Sequence, residues 1–302
     1  MDHSAVSLNV PSPPSEPESA DHFAPLPRDR RTDVPSNPAH ELDENPRFLV
    51  LRNFQSRFLP DTRDLVAYLP EAYLIDPGRR FPVFYLHDGQ NLFDGRTSYI
   101  ADGTWRAHTT ADRLTRAGLI EPVILLGIYN TGLRRMAEYT PTRDPQLRGG
   151  DGDRYGRLLT EELKPLVDRS FRTLPGPAHT ALGGSSLGGL ISLYLGLVYP
   201  EVFGKLAVLS PSLWWDNRSI FRLLSGRTRP QLRIWLDMGT AEGLRHVRDT
   251  DLLQSRLIQR GWRQDLDLHY ERVPDGLHNE AAWADRFDRV LRFLFPAPQP
   301  HS

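Results

Sequence analysis

Hydrophobic and polar positions along residues 47–298 form short apolar runs that alternate with amphipathic stretches. The short runs predict strands, and they are RFLVLRNFQSRFL, RDLVAYLP, FPVFYLHDG, EPVILLGIYN, HTALGGS, FGKLAVLSP, LRIWLDMG and DLHYERVPDG. Helical spacing occupies stretches at about 104–117, 153–170, 187–198, 243–260 and 279–294. This alternation predicts an α/β fold with a mostly parallel central sheet and helices on both faces.

The pattern also divides the chain into a leader, a domain and a tail. Residues 1–45 are rich in Ser, Asp and Glu and carry eight prolines by residue 40. Such a segment buries too little apolar surface to offset its ordering entropy, so we expect a disordered leader without its own function. A proline motif that binds a partner is the alternative. Residues 46–298 are expected to form one domain, and residues 299–302 a short tail.

Composition removes several classes of function. The formal net charge is −1, from 37 basic and 38 acidic residues, so no field of one sign is available for nucleic acid or an anionic membrane. The absence of cysteine excludes disulfides, thiolate zinc sites and cysteine nucleophiles. No apolar run approaches membrane-spanning length, and the first residues lack the pattern of a signal peptide. We therefore expect a cytoplasmic protein.

Residues 184–188, GSSLG, match the G-x-S-x-G nucleophile elbow at a predicted strand-to-helix junction. Ser186 is then the nucleophile, and the backbone N–H of Leu187 points to the place where an oxyanion would form. Ser185 lies one residue too early for this geometry. A glycine-rich turn with packing serines is the alternative, whereas a phosphate loop would need a lysine that this stretch lacks.

The base and the acid of a serine hydrolase are expected later in the chain, in that architecture's order of serine, acid, histidine. His278 follows the last predicted strand and precedes the final helix, where the base belongs. Glu242 lies on the loop after LRIWLDMG and is the preferred acid, with Asp237 at the strand end second. The alternative roles are helix-start polar groups, and for Glu242 an interaction with the helix dipole.

A second oxyanion donor is expected from the loop YLHDGQNLFDG. The backbone amides around Asp88, Gly89 and Gln90 are the candidates, and Gly89 would let the chain approach a substrate closely. Metal chemistry is not expected, because no H-x-x-x-H or close carboxylate–histidine spacing occurs. No cofactor is implied. A sugar-cleaving pair of carboxylates would leave the elbow and His278 unexplained.

Seven blocks in order resemble an esterase family of α/β-hydrolases that includes enterochelin, feruloyl and acetyl xylan esterases. The blocks are VFYLHDGQNLFD, GIYNTGLRRMAEYTP, GGDGDRYGRLLTEELKPLVDRSFRT, GGSSLGGL, SPSLWW, DMGTAEG and GLHNEAAW. The resemblance implies the α/β-hydrolase fold and a serine esterase in which Ser186 attacks an ester carbonyl and His278 serves as base and then acid. Many feruloyl-type members have aspartate where this chain has Glu242.

The resemblance also implies residues that contact substrate. Asp88 is assigned to substrate binding, and Arg135 and Glu138 are placed near the pocket, with an i, i+3 ion pair between the latter two as the alternative. Trp214 and Trp215 are candidates for an aromatic wall over the substrate, and one of them is expected to be a core residue instead.

Together these features predict a serine carboxylic-ester hydrolase that acts through an acyl-enzyme on Ser186. Its substrate is expected to be a small molecule or a carbohydrate ester, namely a siderophore lactone or a feruloyl or acetyl ester. Acyl transfer to a sugar acceptor by the same triad is one alternative, and a catalytically inactive binding module is the other. The sequence leaves the oligomeric state open.

Overall fold

A computed structural model describes Leu42 and residues 45–101, 103–225 and 229–298. The predicted tail and almost all of the predicted leader lie outside the described residues. The strands are β1 (Phe48–Phe54), β2 (Arg63–Tyr68), β3 (Val83–His87), β4 (Ile124–Ile128), β5 (Thr180–Ser185), β6 (Lys205–Leu209), β7 (Arg233–Gly239) and β8 (Leu268–Val273). They form one sheet in the order β1-β2-β4-β3-β5-β6-β7-β8, in which β2 runs antiparallel to both neighbours and the remaining pairs are parallel.

Helices connect the strands. The described ones are α1 (Glu71–Ile75), α2 (Ala107–Arg116), α3 (Arg135–Glu138), α4 (Gly152–Arg157), α5 (Lys164–Ser170), α6 (Leu187–Val198), α7 (Trp215–Ser225), α8 (Leu244–Gln259) and α9 (Glu280–Leu294). A π-helical segment, Leu158–Leu163, joins α4 to α5. In the described part of the chain, no helix is long and apolar enough to cross a membrane. The predicted fold is confirmed, although α1, α3 and α7 were not predicted because they are short or begin irregularly.

Each face of the sheet carries its own core, because successive side chains of a strand point to opposite faces. Val83 and Tyr85 of β3 pack into the core beneath α4 to α8, whereas Phe84 and Leu86 pack into the core beneath α2 and α9. The central strands β3 and β4 are consequently buried at every position and almost entirely apolar, as both-sided burial requires. The α/β sandwich that results is rigid enough to hold loops in fixed positions.

Parallel strands bring their carboxyl ends to one edge of the sheet, where ligands bind in open α/β folds. The loops that leave β3, β4, β5, β6, β7 and β8 therefore meet at this edge. The side chains that the sequence assigns to chemistry lie on these loops.

Candidate active site

Ser186 occupies a tight turn between β5 and α6. Its backbone has φ 59° and ψ −121°, a sparsely populated region for a residue with a side chain, and its N–H donates to the Leu209 carbonyl at 3.0 Å. The glycines on either side let the turn pack tightly against β3. A Cβ added to Gly184 would lie 3.0 Å from the His87 Cβ and 3.2 Å from the Gly188 Cα. The turn therefore has the geometry of a nucleophile elbow, with the serine hydroxyl presented above the start of a helix.

His278 and Glu242 are in direct contact. The imidazole Nδ1 lies 2.6 Å from Oε2 of Glu242, whose side chain is only 2% exposed, whereas the His278 side chain is 46% exposed. The Trp283 ring meets the imidazole edge to face, with ring centroids 4.9 Å apart. The carboxylate and the indole thus fix the orientation of a histidine whose other face is open to solvent.

Asp237, the alternative acid, lies deeper and is engaged elsewhere. It is fully buried, accepts a hydrogen bond from the Trp235 indole at 2.7 Å and lies 3.2 Å from a guanidinium nitrogen of Arg286. Burial raises the pKa of Asp237 to about 6, against the opposing effect of Arg286. The carboxylate that the fold places against His278 is that of Glu242.

The hydrogen bonds of Glu242 favour its charged form. Its Oε1 accepts from the Ser210 hydroxyl at 2.5 Å and from the Gly239 N–H at 3.0 Å, and Arg286 lies 3.6 Å away. Burial alone would raise the pKa of Glu242, but the hydrogen bonds from His278 and Ser210 outweigh it and hold the pKa below its usual value. The residue is therefore suited to stabilise a protonated imidazole.

Two serines after β6 complete the site, and sequence analysis missed both. The Ser210 hydroxyl, besides its bond to Glu242, accepts from the Trp283 indole at 3.1 Å and from Arg286 at 2.5 Å. The Ser212 hydroxyl lies 3.2 Å from the Ser186 hydroxyl, and its N–H donates to the Ser186 carbonyl at 3.0 Å. Their position directly after a buried strand, within the SPSLWW block, was the available signal.

Two backbone segments that the sequence assigns to oxyanion binding lie near Ser186, one directly after it and one that shares a cavity with it. Leu187 is the first residue of α6, so its N–H has no partner within the helix. Gly89 and Gln90 begin a 3₁₀ turn after Asp88, which has a left-handed backbone. A Cβ on Gly89 would lie 2.6 Å from the backbone nitrogen of Ile128. The close approach that requires this glycine is therefore to β4, where sequence analysis expected an approach to substrate.

Arg135 and Glu138 do not pair with each other as the alternative interpretation expected. The Arg135 guanidinium donates twice to Asp88, at 2.7 Å each, and Asn130 donates to the same carboxylate at 2.7 Å. Glu138 is completely buried three residues later and accepts two hydrogen bonds from Arg63, both at 3.0 Å. Asp88 and Arg135 thus reach the site, whereas Glu138 braces α3 against β2.

The two tryptophans of the SPSLWW block separate into different environments. Trp214 is partly buried and faces the cleft beside Ser186. Trp215 is 1% exposed, and its indole donates to the Thr142 carbonyl at 2.9 Å. The second is therefore a core residue, and only the first is placed to contact a substrate.

His87 ends β3 beneath the elbow and is a core histidine. It is buried, and its Nδ1 lies 2.9 Å from the Tyr155 hydroxyl. Burial lowers the pKa of His87 to about 3, so the ring is neutral throughout the ordinary range. It supports the turn structurally and is not a second base. Across the described residues, no group of three or more His, Cys, Asp or Glu could hold a metal ion.

Comparison with protein families decides the identity of the chain. The family model described as "Putative esterase" matches residues 56–294. The chain belongs to this esterase family. Its fold and its place among carboxylic ester hydrolases are therefore established.

Individual relatives of this esterase differ in how much of the chain they cover. The Bacillus subtilis (strain 168) "Uncharacterized protein YbbA" is 27% identical over 247 residues, which are 77% of this chain and 92% of the relative. The "Siderophore enterobactin esterase" of Emericella nidulans is 35% identical over 166 residues, which are 49% of this chain and 53% of the relative. The solved structure "Crystal structure of BES protein from Bacillus cereus" aligns with a TM-score of 0.70 at 21% identity, over 88% of this chain and 99% of that chain, and shows the shared fold.

Two cavities of the esterase meet at Ser186 and His278, which line both. The larger has a volume of about 660 Å³ and extends over the β3 and β4 loops. The smaller has a volume of about 290 Å³ and is lined by residues after β6 and β7, including Trp214, Met238 and His246. An ester whose carbonyl lies at the junction would therefore place its acyl and alcohol parts in different cavities.

Proposed function

We propose that the chain hydrolyses carboxylic esters through an acyl-enzyme on Ser186, with His278 as base and Glu242 as the acid of the triad. The observation that carries the proposal is the 2.6 Å contact between His278 Nδ1 and a buried, ionised carboxylate, on a histidine that shares both cavities with Ser186. A carboxylate in that position fixes the tautomer that leaves Nε2 free to accept a proton.

The reaction follows from these positions. Ser186 Oγ attacks the ester carbonyl while His278 Nε2 accepts the hydroxyl proton, and the resulting imidazolium is stabilised by Glu242. The N–H of Leu187 and an amide of the Gly89–Gln90 turn stabilise the oxyanion. The imidazolium then protonates the leaving alcohol, which leaves an acyl group on the serine. His278 next activates water, which releases the acid and restores the hydroxyl.

The substrate that we propose is a small-molecule or carbohydrate ester, either a siderophore lactone or a feruloyl or acetyl ester. The name of the Emericella relative supports the first of these classes. Water is the proposed acceptor rather than a sugar, because nearly half of the His278 side chain is open to solvent.

Burst kinetics with 4-nitrophenyl acetate test the proposal. We expect a burst of nitrophenol equal to the enzyme concentration, absent in Ser186→Ala and His278→Ala, because both remove groups that the acylation step requires. Ser185→Ala is the matched control, since its side chain is buried one residue earlier.

The same assay separates the two candidate acids. Glu242→Gln should lower kcat by about 10²- to 10⁴-fold because the wrong imidazole tautomer is favoured, whereas Asp237→Asn should retain a larger share of the activity. Full activity in Ser186→Ala, or a greater loss in Asp237→Asn than in Glu242→Gln, would contradict the assignment.

A further inference from the structure

The two cavities that meet at Ser186 have an acidic lining. Among the described residues that line them, apart from histidines, there are three carboxylates and one guanidinium. The carboxylates are Asp88, Glu242 and Glu280, and the cation is Arg135. Behind the lining, Arg286 lies 3.6 Å from Glu242 and 3.2 Å from Asp237. With these two residues included, four carboxylates face two guanidiniums, so an anionic group that entered either cavity would meet an excess of negative charge at short range.

The single cation is already occupied by the protein. Arg135 donates two parallel hydrogen bonds of 2.7 Å to Asp88, the bidentate arrangement that binds a carboxylate most firmly. Asn130 orients the same carboxylate from the other side. Burial alone would raise the pKa of Asp88, but the charge of Arg135 outweighs it and lowers the pKa, so the carboxylate stays ionised. The charge of Arg135 is thus balanced by a carboxylate of the protein at contact distance.

The remaining wall of the larger cavity is largely apolar. Tyr99, Ile100, Leu133 and Trp283 line it. The Tyr99 side chain is 87% exposed and Leu133 is fully exposed, so apolar surface lies at the mouth of the cavity where a substrate would cover it. Burying an apolar group there is favourable by the ordinary hydrophobic effect.

We propose that this pair of cavities selects uncharged esters with an apolar larger half, and rejects esters whose acyl chain carries an anionic group. The contact that sets this preference is the Asp88–Arg135 pair, in which the carboxylate cancels the one guanidinium of the lining. The proposal rests on the proposed function, because it concerns the substrate of the same serine.

Two matched aryl esters test this selection. We compare kcat/KM for 4-nitrophenyl hexanoate and for mono-4-nitrophenyl adipate, which have acyl chains of equal carbon number and differ by a terminal carboxylate. The native enzyme should prefer the hexanoate by about tenfold or more, because the carboxylate enters an acidic, partly apolar cavity. Equal kcat/KM for the two esters would overturn the proposal.

Two variants test whether the Asp88–Arg135 pair sets the preference, because they should shift the hexanoate-to-adipate ratio of kcat/KM in opposite directions. Asp88→Asn leaves Arg135 with an unbalanced positive charge and should lower the hexanoate-to-adipate ratio several-fold. Arg135→Gln leaves Asp88 unbalanced and should raise the ratio. The matched control is Asp61→Asn. Asp61 pairs with Arg134, the residue before Arg135, at 3.0 Å, and neither partner lines the larger cavity. The control should therefore leave the ratio unchanged.

Labelling with an uncharged fluorophosphonate distinguishes failure of this proposal from failure of the proposed function. Labelling of Ser186 also verifies that each variant retains a folded site. If only one variant is folded, the direction in which it shifts the hexanoate-to-adipate ratio is enough to test the role of the pair. If the native enzyme is labelled but has equal kcat/KM for the two esters, only the charge selection is overturned. The same holds if the hexanoate-to-adipate ratio shifts in the same direction in both variants. Absence of labelling and of hydrolysis in the native enzyme would overturn the proposed function and this inference with it.

Discussion

Replacement of Arg286 by Met should destabilise the protein severely, because the guanidinium is the buried counter-charge of the site. Arg286 is fully buried on α9 and lies 3.2 Å from Asp237 and 3.6 Å from Glu242. It also donates to the Ser210 hydroxyl at 2.5 Å. The variant leaves two buried carboxylates without their cation.

The magnitude follows from that burial. Removal of one partner of a buried ion pair costs about 3–5 kcal/mol, a large part of the roughly 5–15 kcal/mol that stabilises an ordinary domain. Even beside Arg286 the pKa of Asp237 is raised to about 6, and relative to its ordinary value of 3.8 the ionised form costs about 3 kcal/mol at pH 7. In Arg286→Met the pKa of Asp237 should rise further, because the largest opposing influence is gone.

Urea unfolding at pH 7, followed by the fluorescence of the six tryptophans, measures this loss. Arg289→Met is the matched control on the same helix, since its partner Glu271 is 3.0 Å away and the arginine is 41% exposed. Such a surface pair contributes less than about 1 kcal/mol. The double variant Arg286→Met/Asp237→Asn also removes the charge of Asp237, which leaves Glu242 as the one carboxylate that has lost its guanidinium, and it should recover part of the stability.

The pH dependence supplies a second check with a definite sign. A carboxyl whose folded-state pKa is raised binds its proton more tightly when folded, so its penalty is relieved as the pH falls through that pKa. The deficit of Arg286→Met should therefore be smaller at pH 5 than at pH 7. A loss no larger than that of Arg289→Met, or a double variant as unstable as the single one, would refute the reasoning.

Three further outcomes are expected. His87 has a pKa of about 3 in the folded protein, so between pH 7 and 5 it takes up a proton only in the unfolded state, which lowers the free energy of unfolding by about 2 kcal/mol. His87→Leu should remove this pH-dependent loss, as measured by urea unfolding. An unchanged pH dependence would contradict this. Gly89→Ala should lower the free energy of unfolding by more than about 2 kcal/mol and remove most of the esterase activity, because its Cβ would lie 2.6 Å from the β4 backbone. The control Gly176→Ala would place its Cβ in open space and should be near neutral. Ser212→Ala should lower kcat about tenfold with KM little changed, because it removes the hydroxyl 3.2 Å from that of Ser186; an equal rise in KM would show a binding role instead.

The strands and long helices were predictable because burial imposes a period on the sequence. Each of the eight predicted strands coincides with an observed strand. The order of strands and motifs along the chain was enough to predict that Ser186, Glu242 and His278 lie at one edge of the sheet. The preference for Glu242 over Asp237 rested on the reach of its loop, and the structure places its carboxylate against the histidine. Their catalytic roles stay predictions.

Side-chain partners were not predictable, because they are fixed by elements far apart in sequence. Arg135 and Glu138 are spaced for a helical ion pair, yet β3 supplies a partner for the first and Arg63, 75 residues away, supplies one for the second. Arg286 gave no signal, since a single arginine within an amphipathic helix ordinarily faces solvent. Its burial depends on the two carboxylates that β7 and its loop place beneath α9.

The central claim is that Ser186 carries the acyl group, and mass spectrometry of the trapped intermediate tests it most directly. The enzyme is mixed with excess 4-nitrophenyl acetate, quenched in acid within the burst and digested. The account predicts an added acetyl group on the peptide containing Ser185 and Ser186, with fragment ions that assign it to Ser186, and its persistence in Ser185→Ala but not in Ser186→Ala. Hydrolysis at the native rate with no acetylated serine, or with the acetyl group on Ser185, would contradict it.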